Sequence, residues 1–116
     1  MNKYLVYMTA KDVSEARKLG RALLKARLAA CVNILGSIES LYRWKDAVRN
    51  DKEVSLIAKT TADKIDALIR KILSIHSYET PCIAALPIVK GNPTFLRWIE
   101  KETQSLRRPS KPARIR

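Results

Sequence analysis

Few side chains in this sequence can do chemistry. There is one histidine, His76, and there are two cysteines, Cys31 and Cys82, with no Cys-x-x-Cys spacing. A lone histidine rules out a centre built from several imidazoles of one chain. Imidazole and thioether both suit Cu(I). His76 with Met8, at the end of an apolar run, is therefore a candidate copper site, and copper or another divalent cation is the one cofactor the sequence suggests. The plainer alternative puts Met8 in the core and leaves His76 exposed in a connector. Cys31 and Cys82 sit in apolar segments, where a thiol more often acts as a small core hydrophobe. No Ser-His-Asp, Cys-His or paired-carboxylate arrangement is visible, and no Gly-rich phosphate loop. The chain is not read as an enzyme.

Charge limits the partners. The chain carries a net charge of +12, and five of its basic residues (Arg107, Arg108, Lys111, Arg114, Arg116) crowd into a tail that has no acid. Such a surface attracts nucleic acid and anionic lipid without specificity. Nucleic-acid binding is a third-rank reading, because no aromatic-rich RNA motif accompanies the charge. No apolar run approaches the roughly 18 residues of a membrane span. The start of the chain lacks the small-residue cleavage site of a signal peptide, so a cytoplasmic location is expected.

The elements that must position these residues follow from pattern. Tyr4 to Thr9 reads as a strand covered on both faces. Asp12 and Glu15 form a capping box for a helix with Val13, Ala16, Gly20 and Leu23 on one stripe, ending near Arg27. A β-ribbon follows from Arg27 to Lys59, with a bulge or bend at Gly36 and a polar turn over 45–52. Thr60 or Thr61 caps a second helix bearing Ile65, Leu68, Ile69, Ile72 and Leu73. A polar connector, 76–81, leads to a strand from Ile83 to Val89. Asn92 and Pro93 then start a third helix. The order β-α-β-β-α-β plus a helix implies an α+β, ferredoxin-like sandwich with an extended β-ribbon: one domain over residues 1–106, and a basic, disordered tail over 107–116. One sheet face stays bare although its strands are apolar on both sides, so a closed homo-oligomer is expected.

Ala29-Ala30-Cys31-Val32-Asn33-Ile34, Ser40-Leu41-Tyr42-Arg43-Trp44, Glu53 with Lys59-Thr60, Tyr78-Glu79-Thr80-Pro81 and Gly91-Asn92-Pro93 through Ile99 resemble the CutA family of divalent-cation tolerance proteins over residues 4–103. The resemblance implies a PII-like homotrimer held by its ribbons, with Trp44 and Trp98 as packing anchors. It also implies a role in metal tolerance or homeostasis, through binding of copper or of a small ligand. It suggests that Asn33, Tyr42, Lys59, Tyr78 and Glu79 gather at a cleft between subunits, where a PII-like sensor would take an anionic ligand. The sequence departs from the family pattern in three places. Trp44-Lys45-Asp46 lacks the glycine of Trp-x-Gly, and Ser77 replaces the proline of His-Pro-Tyr-Glu. Of the three ligand positions in copper-binding members only His76 is retained, the others being Met8 and Ile75.

Overall fold

A computed structural model describes residues 1–104. The strands are β1 (Lys3–Ala10), β2 (Cys31–Trp44), β3 (Ala47–Thr61) and β4 (Ile83–Pro87). The helices are α1 (Val13–Lys25), α2 (Ile65–Ile75) and α3 (Pro93–Glu102). The strands form one antiparallel sheet in the order β2-β3-β1-β4. This is the ferredoxin-like α+β arrangement expected from the element order.

Side-chain alternation builds the core. Val6, Met8 and Ala10 of β1 pair with Ala58, Leu56 and Val54 of β3, so all six point to one face. Against them pack Ala16, Leu19 and Leu23 of α1 and Leu68 and Ile72 of α2, and the cluster is essentially closed to solvent. The odd-numbered residues Leu5, Tyr7, Ser55 and Ile57 point to the opposite face. Helix α3 covers only one end of it. The Lys59 ammonium lies 5.8 Å from the Phe95 ring, and Ile99 is fully buried yet outside the main cluster.

Helix ends follow sequence chemistry. Asp12 accepts from the Glu15 N–H at 2.8 Å, and Asn92 accepts from the Thr94 N–H at 3.1 Å ahead of Pro93. Helix α1 ends in a Schellman closure: Arg27 takes φ 56°, and the Leu28 N–H reaches the Leu23 carbonyl at 2.9 Å. The Arg27 guanidinium donates to the Glu102 carbonyl at 2.9 Å, tying the end of α3 to the end of α1.

The ribbon corrects one sequence-based expectation. The reversal is not a polar turn over 45–52. It is a two-residue turn, Lys45-Asp46, with Trp44 opposite Ala47. Both turn residues have positive φ, 49° and 64°, the combination that suits the right-handed twist of a hairpin. The run 49–52 is polar because it lies on a projecting ribbon, and polarity alone does not mark a turn there. The ribbon gives a molecule 50 Å long but only 27 by 25 Å across.

The expected irregularity at Gly36 is a bulge between Ile34 and Gly36, where Gly36 takes φ 107°. The last strand is shorter than expected and ends at Pro87. The basic tail lies outside the described residues.

A left-handed backbone at a non-glycine residue is strained. Asp46→Gly should therefore raise unfolding free energy by about 1 kcal/mol, visible as a higher midpoint in urea with an unchanged slope. A lower midpoint would mean that the Asp46 side chain supports the turn.

Candidate ligand-binding cleft

The bulge in β2 decides which side chains share a face. Before it, Cys31 and Asn33 stand opposite Lys59 and Ile57 on the open face. The extra residue, Leu35, reverses the alternation. Beyond it Ile38, Ser40 and Tyr42 stand opposite Glu53, Asp51 and Arg49, again on the open face. One strand thus presents odd residues and then even ones to the same side.

A cleft of about 840 Å³ lies on that face. The ribbon supplies Ser40, Tyr42, Trp44, Arg49, Asp51 and Glu53 to its wall. The end of β1 adds Tyr7 and Thr9, and the connector adds Ser77 to Thr80 with Cys82. Two phenols fix two carboxylates. Tyr78 Oη donates to Glu53 Oε2 at 2.8 Å, and Tyr42 Oη donates to Asp51. The hydrogen bond to Asp51 leads the causes that raise the Tyr42 pKa. Burial first, then the bond to Glu53, pushes the Tyr78 phenol well above its ordinary value. Burial, then the Glu53 charge, raises the Cys82 thiol. Both phenols stay protonated at neutral pH and act as donors.

The connector is held by the single histidine. The His76 side chain is fully buried. Its Nδ1 accepts from the Tyr78 N–H at 3.0 Å, so Nε2 carries the proton and donates to the Thr9 carbonyl at 2.8 Å. Beside it, buried Glu15 accepts from the Lys11 N–H at 3.0 Å, the Ser77 N–H at 2.9 Å and the Ser77 hydroxyl at 2.9 Å. Burial alone would push the Glu15 carboxyl up. The donors from Lys11 and Ser77 outweigh it and hold the group below its ordinary 4.5.

The candidate copper pair fares differently from the cleft residues. Met8 is fully buried on the helix-facing side of β1. His76 is not an exposed connector residue, and neither ring nitrogen keeps a free lone pair for a metal. Among the described residues no three His, Cys, Asp or Glu side chains come together to hold an ion. The donor set does not fit a resident metal centre.

The other five candidate residues divide. Tyr42, Tyr78 and Glu79 line the cleft. Lys59 and Asn33 do not: they hydrogen-bond to each other six residues further along β3 from Glu53, roughly 20 Å away. Cys31 Sγ is 3.8 Å from Lys59 Nζ in that second cluster, so only Cys82 of the two thiols reaches the cleft. Trp44 is half-buried at the ribbon tip, its ring 5.6 Å from the Lys45 ammonium. Trp98 stacks on Phe95 at 5.7 Å. Sequence reasoning missed Asp51 as a cleft residue. The signal was the alternation Arg49, Asp51, Glu53, which counts only once 47–52 is recognised as strand.

Fold, ribbon and connector define a class: a ferredoxin-like α+β chain with an elongated hairpin and a cleft on its open sheet face. The family model described as CutA1 divalent ion tolerance protein matches residues 4–102, and the chain belongs to that family. Protein CutA of Mus musculus is 37% identical over 100 residues, covering 86% of this chain and 56% of that protein. The divalent-cation tolerance protein CutA of Thermus thermophilus is 39% identical over 99 residues, covering 85% and 96%. The structure of CutA1 from Oryza sativa superposes with a TM-score of 0.87 at 36% identity, covering 91% of this chain and 97% of that one. The periplasmic divalent cation tolerance protein CutA from Archaeoglobus fulgidus gives 0.85 at 36% identity, covering 88% and 99%. The chain spans little more than half the length of the vertebrate relatives, 56% for the mouse protein and 62% for that of Xenopus laevis. Among the described residues no helix is long and apolar enough to cross a membrane.

The Glu15 linkage has a definite sign. Its folded pKa lies below the unfolded value, so its stabilisation is complete above about pH 4.5 and is lost as pH falls through the folded value. Glu15→Gln should cost about 1.5–3 kcal/mol at neutral pH, the range for hydrogen bonds to a charged group. It should also flatten the acid limb of stability against pH. An unchanged acid limb in the variant would mean that Glu15 does not anchor the connector.

Proposed function

We propose that this chain serves divalent-cation tolerance as a homotrimeric binding module, and that it binds a small organic ligand in the open-face cleft. The observation that carries the reading is the cleft itself. It holds about 840 Å³, has aromatic walls, and contains two carboxylates held in place by phenolic hydroxyls. That combination of apolar surface and a few oriented polar groups is the usual form of a small-molecule site. Copper held by His76 and Met8 finds less support, because the imidazole is already bonded at both nitrogens and the thioether is enclosed in the core.

The trimer is supported by what one chain leaves uncovered. Strand β2 is a sheet edge, and Ile34, Leu35 and Leu41 along it are exposed, as are Val48 at the ribbon tip and Leu86 on β4. A long apolar edge of this kind pairs readily with another copy of the chain. Trp44 and Trp98 are the anchors the trimer would use. The ligand site then lies beside the interface, and occupancy can be coupled to assembly.

Light scattering on the full chain should give three times its 13.2 kDa mass. A monomer at micromolar concentration contradicts the assembly. A thermal-shift screen of small metabolites should find a compound that raises the melting temperature and loses its effect in Glu53→Gln, while Arg70→Ala on α2 behaves as wild type. A broad screen with no such compound contradicts the ligand reading.

A further inference from the structure

The cleft differs from the rest of the molecule in its electrostatics. The chain has 23 basic and 11 acidic side chains, yet the groups fixed in the cleft are acidic. Asp51 and Glu53 are partly buried and lie two residues apart on one face of β3, roughly 7 Å along the strand. Each accepts a phenolic hydrogen bond that orients it. Glu79 stands on the opposite wall. The basic side chains at the rim, Lys11, Arg49 and Lys52, are all exposed and can extend into water. Arg49 is already 4.0 Å from Asp51.

The second feature is aromatic. Tyr7, Tyr42, Trp44 and Tyr78 all line this one cleft, and they are four of the seven aromatic residues in the chain. Ring faces attract cations, most strongly where carboxylates lie nearby and water is partly excluded. An anion would meet Lys11, Arg49 and Lys52 on exposed, flexible stems, but also two hydrogen-bonded carboxylates and the negative faces of the rings.

We propose that the cleft takes a short organic diammonium ion, with its two ends at the Asp51 and Glu53 carboxylates and its methylene chain against the rings of Tyr42 and Tyr78. This deepens the reading of the cleft as a small-ligand site and rests on it. A bare divalent metal ion is the poorer match, since no three metal-ligating side chains converge among the described residues and the rings would contribute nothing to it. The positive charge of the whole chain does not forbid such a ligand, because beyond a Debye length of about 8 Å in physiological salt it is largely screened. The local potential agrees. After burial, the Glu53 charge raises the pKa of Tyr78 and Cys82; at Tyr42 the hydrogen bond to Asp51 leads and the Arg49 charge opposes it.

The test is calorimetric titration of the full chain with 1,4-diaminobutane, with butylamine, magnesium chloride and citrate as comparison probes. The diamine should bind saturably and at least tenfold more tightly than butylamine. Asp51→Asn and Glu53→Gln should each weaken it at least tenfold while circular dichroism and oligomer mass stay as in wild type. Should either variant misfold, wild-type protein decides by competition: magnesium that displaces the diamine mole for mole overturns the proposal. Diamine binding unchanged in both folded variants also overturns it, since the contact is then surface adsorption. Citrate binding without diamine binding overturns the ammonium class but keeps the cleft as a ligand site. No binding by any probe, with no compound emerging from the thermal screen, overturns both.

Discussion

The candidate site depends on a buried latch between the connector after α2 and the start of α1. His76 donates to Thr9 and accepts from Tyr78, and Glu15 accepts three hydrogen bonds from Lys11 and Ser77. Neither side chain would tolerate burial without partners, because an unsatisfied imidazole nitrogen or carboxylate oxygen is costly away from water. Together they force residues 76–78 into one path. That path aims Tyr78 across the cleft at Glu53. In a chain with one histidine, the imidazole is consumed in building a wall, which is why its presence does not by itself argue for a metal.

The opposite wall depends on a backbone irregularity. Without the extra residue at Leu35, the alternation of β2 would continue unbroken, and Tyr42 and Ser40 would face away from the cleft. Gly36 permits the bulge at low cost because its φ of 107° is forbidding for side chains. The bulge and the latch act on different strands and meet at the same place. Between them they bring carboxylates from β3, phenols from β2 and the connector, and the Cys82 thiol just ahead of β4 around one volume.

Much of the fold could be read from pattern. The α1 and α2 stripes, the caps at Asp12 and Asn92, and the bulge at Gly36 all rest on local chemistry that tertiary contacts reinforce. The ribbon tip was harder to read. Its strands lie open on both faces, so no hydrophobic alternation marks them, and Lys45-Asp46 is an unusual pair for a turn with two positive φ values. The site was legible only in part. Tyr42, Tyr78 and Glu79 line one cavity of the single chain, whereas the family resemblance implied a cleft between subunits. Lys59 and Asn33 did not join them within one chain, because position along a strand separates residues that share a face. The burial of His76 was hidden in the sequence, since its partners are the Thr9 carbonyl and the Tyr78 N–H, and backbone groups carry no residue signature.

We propose that His76 is a structural latch and that the cleft it helps to build is the functional feature. Nitrogen-15 chemical shifts of the His76 ring test this most directly. His76 should show a pyridine-type Nδ1 and a pyrrole-type Nε2, both unmoved by added Cu(I) or Zn(II). Metal-induced shifts at either ring nitrogen, or a ring that exchanges freely between tautomers, would contradict it and return His76 to the role of a metal ligand.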